Sequence, residues 1–218
     1  MKKNDAKFVP ALKYKRLTSS YDQFMKIIMP EEKIKNQLLD QAGIRLNDVV
    51  LDFGCGTATL TIMAKQRESL AEVFGLDIDK GVLQIAGQKV QKASLEIHLD
   101  SYDGNRFPYP DQMFDKVLSS LVFHHLTPGQ KINALKEVQR VLKPGGELHV
   151  LDIGRPKNVF MRGVVFISQM LEGFATTSDS VRGMLPIYMR NIGLKEVEET
   201  SQINAVFGTL SVYKAVKA

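Results

Sequence analysis

Between residues 48 and 153 the chain alternates short apolar runs with amphipathic stretches, and this alternation limits its fold more than any other feature. The strand-like runs are 48–53, 71–77 (AEVFGLD), 95–99 (LEIHL), 114–121 (FDKVLSSL) and 147–153 (ELHVLDI). The helical stretches are 57–67, 79–91 and 128–142, the last with Ile132, Leu135, Val138 and Leu142 on one face. Strands separated by helices at this spacing pair in parallel, and right-handed crossovers place the helices on both faces of the sheet. The expected class is therefore α/β, doubly wound and Rossmann-like. Before this region, 18–29 and 31–42 read as helices separated by Pro30, with Thr18 or Ser19 capping the first and Gly43 ending the second. Lys143-Pro144-Gly145-Gly146 reads as a stop and turn. After Ile153 the pattern changes: 157–175 and 179–192 look helical, then 194–201 and 206–216 look like strands joined near Ile203-Asn204. With no repeat or linker, the reading is one domain: a helical region 1–43, a binding core 44–153, and a C-terminal part 154–218.

In such sheets ligands sit beyond the carboxyl ends of the strands, where the strand order reverses. The first strand runs into LDFGCGTATL, residues 51–60. Gly54 and Gly56 let backbone approach a ligand closely. A glycine turn built for a dinucleotide must welcome pyrophosphate, and Asp52, two residues before the first glycine, would repel it. The acid would attract a cation instead. S-adenosylmethionine carries a sulfonium and an ammonium and no phosphate, so the loop favours that cofactor over NAD. An ordinary strand–turn–helix joint is the bland alternative, and a lone glycine pattern is weak evidence.

Other residues at strand ends extend the site. Asp77 closes the second strand, 23 positions after Gly54, where an acid can accept from ribose hydroxyls. The alternative role, capping the next helix, suits Asp79 better. Ile78 would pack on the adenine. Asp103, with Asp100 in reserve, would accept from the adenine amino group, or else serves only to solvate its loop. Ser119, Ser120, His124 and His125 follow the fourth strand, beside the expected reversal point. A histidine there can deprotonate a nucleophile near neutral pH. For His124 that role and a packing role weigh equally, and for His125 packing is favoured. Cys55, the single cysteine, has no base partner in the sequence and is read as a small side chain in a tight turn.

The composition fits a reducing cytoplasm: one cysteine permits no internal disulfide, and no apolar segment reaches the length of a membrane span. The N-terminus, MKKNDAKFVPALKYKR, lacks the apolar core of a secretory signal. The net charge of +5 is concentrated before residue 17, where a solvated basic tail is the plain reading and contact with an anionic membrane surface the sharper one. No motif supports nucleic acid as a partner. Phe160, Met161, Phe166, Met170 and Phe174 pack on the domain or roof an apolar substrate. Oligomeric state is not written in the sequence.

Four segments, VVLDFGCGTATLT, VFGLDID, RFPYPDQMFDKVLSS and EVQRVLKPGGELHVLDIG, together resemble the class I S-adenosylmethionine-dependent methyltransferases. Within that class the chain is most similar to the ubiquinone/menaquinone C-methyltransferase group. The resemblance implies a seven-stranded sheet whose last strand is inserted antiparallel. It further implies that Asp52, Gly54 and Gly56 meet the methionine part of the cofactor, Asp77 the ribose, Asp103 the adenine, and the backbone around Ser119 the amino-acid end; Cys55 and Ile78 are counted with these as expected cofactor-binding residues. Tyr14 and Tyr21 become candidates for a lid. Ala58 departs from the usual third glycine. The expected acceptor is a small apolar molecule such as a quinol; a phospholipid head group and a non-catalytic cofactor-binding role are the alternatives.

Overall fold

The computed structural model describes residues 31–156, 174–205 and 208–218. The expected helix 18–29, Tyr14, Tyr21 and the expected helix across 157–173 lie outside them. Within them runs α1 (Glu31–Ala42), β1 (Val49–Phe53), α2 (Thr59–Arg67), β2 (Glu72–Asp77), α3 (Lys80–Ala93), β3 (His98–Ser101) and β4 (Phe114–Ser120). A 3₁₀ turn (Phe123–His125) leads to α4 (Pro128–Val141) and β5 (Leu142–Ile153). Then come α5 (Phe174–Val181), α6 (Leu185–Asn191), β6 (Lys195–Ala205) and β7 (Gly208–Val216).

The seven strands form one sheet in the order β3-β2-β1-β4-β5-β7-β6. Strands β1 to β5 pair in parallel, and β7 is antiparallel to both β5 and β6. The order reverses between β1 and β4, as the alternation predicts. Successive residues of β1 serve opposite faces. Leu51 and Phe53 join Phe74, Val117, Leu135 and Val138 on one side, while Val50 joins Leu118, Leu39, Leu60 and Val212 on the other. A sheet covered on both faces needs apolar residues at nearly every position, which is why these strands are continuous runs rather than alternating ones. Each large side chain so buried contributes about 1.5–3 kcal/mol.

Four boundaries differ from the sequence reading, each for a local reason. The turn expected near Ile203-Asn204 is strand: Ile203 pairs with Leu210 and Asn204 with Thr209, so the strand expected to end at 201 runs on to Ala205. The third strand starts at His98, not Leu95, because α3 continues to Ala93 and Ser94 closes it in the left-handed conformation (φ 53°). Residues 95–97 are used in turning, and Ile97 packs against the small cluster of Ala58, Ala86 and Val90. Lys143-Pro144-Gly145-Gly146 is an irregularity inside β5 rather than a stop before it. Leu142 already pairs with Phe114, and Glu147 next pairs with Lys116, so the four residues bulge from the ladder around Gly145 (φ 76°). The expected helix 179–192 is two helices. Gly183, at φ 70°, ends α5, and Pro186 falls in the first turn of α6, where its missing N–H is harmless.

A polar network is buried beneath α1. Gln41 Nε2 lies 3.0 Å from His149 Nδ1 and donates at 3.0 Å to the Tyr213 carbonyl. On its other side the His149 ring reaches Glu147 at 3.2 Å, and Lys116 and Lys214 pair with the same carboxylate at 2.7 and 2.6 Å. An amide nitrogen can only donate, so Nδ1 accepts and Nε2 carries the hydrogen. Burial holds His149 below its ordinary pKa, against the pull of Glu147. The hydrogen bonds from His149, Lys116 and Lys214 hold Glu147 well below the usual carboxylate range despite its partial burial.

Candidate active site

The carboxyl ends of β1, β2, β4 and β5 converge at the reversal point. Asp52, one residue before the end of β1, is almost completely buried (1% exposed) and pairs in register with Gly75 and Leu118. Its carboxylate accepts from the Thr61 hydroxyl at 2.7 Å, from the first turns of α2. Burial pushes the Asp52 carboxyl up to about 6, with Thr61 and Lys35 pulling the other way and Asp77 adding to the rise. Asp52 is thus a charge held beneath the loop, balanced near neutrality, and strong perturbation of this kind concentrates at functional sites.

The loop above it is left-handed at three places: Gly54 (φ 73°), Gly56 (φ 55°) and Ala58 (φ 60°). Two have different reasons to be glycine. A Cβ on Gly54 would lie 2.3 Å from Val122 Cγ2, so a side chain is excluded by the chain that follows β4. A Cβ on Gly56 would meet nothing within 4 Å, which leaves open space over the backbone. Ala58 keeps the left-handed geometry that the third glycine would supply, and its methyl is fully buried against Ala86 and Val90. The departure from glycine therefore points inward, away from a ligand. No side chain caps the start of α2. Cys55 is buried with its sulfur beside Gly75. Burial, then the charges of Asp52 and Asp77, pushes its thiol above its ordinary value, which removes it as a nucleophile.

Asp77 ties two loops together. One carboxylate oxygen accepts from the Gly56 N–H at 2.9 Å and the other from the Asp79 N–H at 2.9 Å. Asp79 is the cap of α3, accepting from Gly81 and Val82. Each carboxylate oxygen of Asp77 keeps a second lone pair for a hydroxyl. Ile78 is half-buried, and its Cδ1 lies 3.1 Å from where a Cβ of Gly104 would be, so it and the Asp103-Gly104 loop are adjacent. Asp103 is exposed and accepts from the Asn105 and Arg106 N–H groups and the Asn105 side chain. The hydrogen bonds from Asn105 lower its pKa. Asp100 instead accepts from the Tyr109 hydroxyl at 3.1 Å. Tyr102 escaped the sequence reading. Its N–H donates to the Asp77 carbonyl at 3.4 Å, and burial, with the charges of Asp77 and Asp103, pushes its hydroxyl up to about 12.

On the other side of the reversal point, Ser119 is fully buried and donates to the Phe53 carbonyl at 3.1 Å, joining the ends of β4 and β1. Leu121 then takes φ 59° and turns the chain into the 3₁₀ turn. His124 is 6% exposed, and its Nδ1 lies 2.8 Å from Asp152, at the end of β5. The second oxygen of Asp152 accepts from the N–H groups of Val122, Phe123 and His124 at 3.1, 2.7 and 3.3 Å. Burial works to raise Asp152, but the His124 ring and these donors outweigh it and hold the carboxyl below its usual range. The His125 ring lies 3.9 Å from that of His124, centroid to centroid. α5 packs against this turn and is anchored to α4 by a buried ion pair between Asp179 and Lys131, which also donates to Ser180 at 3.1 Å. Asp152 had no signal in the sequence beyond being an acid at a strand end.

The described residues set two acids and an open glycine backbone on one side of the reversal point and a histidine–carboxylate pair on the other. A pyrophosphate would lie against Asp52 and Asp77. The family described as "Methyltransferase domain" matches residues 50–146. A demethylmenaquinone methyltransferase of Lactobacillus johnsonii is 31% identical over 154 residues, 68% of this chain and 62% of that protein. An uncharacterized methyltransferase of Geobacillus kaustophilus is 31% identical over 153 residues, 69% of this chain and 67% of that protein. The chain thus spans about three fifths of the length of the demethylmenaquinone enzymes it matches first. The crystal structure of a SAM dependent methyltransferase from Aquifex aeolicus has the same fold, with a TM-score of 0.64 and 18% identity, covering 90% of this chain and 98% of that one.

Proposed function

Because this chain belongs to the class I S-adenosylmethionine-dependent methyltransferases, we propose that it methylates a small apolar hydroxyl-bearing acceptor of the quinol type. The observation that carries the donor side is the acid pair around an open glycine backbone: Asp52 buried under the loop and Asp77 bound to the Gly56 N–H. In this reading Gly54, Cys55 and Gly56 offer backbone to the methionine part, with Asp52 supplying negative charge from beneath. Asp77 holds the ribose, Ile78 covers the adenine, and Asp103 accepts from its amino group. The backbone at Ser119 closes the amino-acid end. Tyr21 lies outside the described residues and stays a lid candidate. The name of the Lactobacillus johnsonii relative supports the quinol class.

Bound S-adenosylmethionine supplies a methyl group already activated on sulfonium, so the protein has mainly to align the acceptor and exclude water. For a quinol, His124 takes the proton of a ring hydroxyl. The ring carbon so made electron-rich would take the methyl group that the bound donor supplies, with S-adenosylhomocysteine as the leaving group. The ring carbon's own hydrogen leaves as a proton and the hydroxyl is restored, so each turnover releases one proton. His124 is only 6% exposed, which limits the access of water to the proton transfer. Transfer of labelled methyl from S-adenosylmethionine to a prenylated naphthohydroquinone tests the reading. The expected product is the ring-methylated quinol. Failure of the chain to bind S-adenosylmethionine in calorimetry would overturn the donor assignment, and binding with no quinol product would overturn the acceptor class.

A further inference from the structure

We propose that Asp152 is a positioning residue that selects the tautomer of His124 and joins the acceptor side of the site to the cofactor loop. A carboxylate oxygen only accepts, so at 2.8 Å from Asp152 the His124 Nδ1 carries the hydrogen. The basic lone pair of the neutral ring is then on Nε2. The other oxygen of Asp152 collects three consecutive N–H groups, those of Val122, Phe123 and His124. Such a set of donors favours the ionised carboxylate, which is the form able to accept from the ring. One side chain therefore fixes both the ring's protonation pattern and the backbone carrying it. The same backbone holds Val122, whose methyl groups fill the space above Gly54.

This inference rests on the methyl-transfer reading only for its effect on rate. Its first test needs no substrate. Nitrogen NMR of the full chain labelled at histidine is expected to show a His124 Nε2 without hydrogen and an Nδ1 with it. In Asp152→Asn the amide oxygen can still serve the three N–H groups, and the amide nitrogen then faces Nδ1 as a donor. The tautomer should invert. Methylation of the prenylated naphthohydroquinone should fall about 10²–10⁴-fold in kcat, the range for loss of a general base or of the carboxylate that orients one. S-adenosylhomocysteine affinity should stay unchanged. A wild-type His124 already protonated on Nε2 overturns the proposal without any variant. So does a variant that keeps the wild-type tautomer, or one that inverts it with kcat unchanged. Absence of cofactor binding in the wild type would remove the functional reading and leave the tautomer result standing.

Discussion

Asp52 carries a conflict between stability and function. Its folded pKa, about 6, lies above the ordinary carboxylate value of 3.8. A raised folded pKa means the native state prefers the protonated form. The group adds stability below the unfolded pKa and loses it as pH rises through about 6. At neutral pH the buried charge costs roughly 3 kcal/mol, because a tenfold change in proton affinity is worth about 1.36 kcal/mol. Asp52→Asn, whose amide oxygen can still accept from Thr61, should therefore stabilise the chain near pH 7.5, by at most that amount. It should also weaken S-adenosylmethionine binding. Chemical denaturation and calorimetry on the same preparation check both signs. On the proposed reading, in which the ionised acid binds the cation, wild-type affinity should decline as pH falls through about 6. Gly54 gives a second expectation: Gly54→Ala forces a Cβ to 2.3 Å from Val122, and Val122→Ala should restore part of the lost stability. The glycines and Asp77 were legible because strand ends and loop spacing are local. Tyr102, Val122 and Asp152 were not, since their contacts join chain segments brought together only by the sheet.

At the level of elements, the sequence reading succeeded where periodicity was long and failed where one residue's backbone decided. The helices α1, α2, α3 and α4 and the strands β1, β2 and β4 follow their apolar patterns closely. The start of β3 depended on the left-handed Ser94, the irregularity in β5 on Gly145, and the break between α5 and α6 on Gly183. Propensity cannot decide such positions, because glycine and serine permit a turn without requiring it. The packing of α1 on β5 makes its own prediction. His149 is held below the ordinary histidine value by burial, so the unfolded chain binds more protons below about pH 6.5 and stability falls as pH drops. Glu147, held low by its donors, adds the same direction at more acid pH. Asp52 opposes both between about 6 and 4. His149→Gln should therefore narrow the loss of stability between pH 7.5 and 5.5. Urea midpoints of wild type and variant at the two values isolate the histidine.

Across the whole molecule, the topology was legible for a simple reason: parallel strands linked by helices leave few ways to close. The insertion of β7 between β5 and β6 was implied by family likeness and by two C-terminal strand patterns, not by alternation itself. That insertion has a temporal consequence. A ribosome delivers β6 before β7, yet among the described residues β6 pairs with no strand but β7. Until residues 208–216 emerge, the 11-residue β6 has no neighbour, and β5, with Leu148, Val150 and Leu151, shows an open apolar edge. The nascent chain cannot lock its sheet from the N-terminal side onward. A ribosome-stalled chain ending at Ala205 should be cut readily by protease within 147–153, while one carrying β7 clear of the exit tunnel should resist. The time at which residues 208–216 emerge, rather than synthesis speed at the glycine loop, then governs how long the half-built sheet is exposed to aggregation.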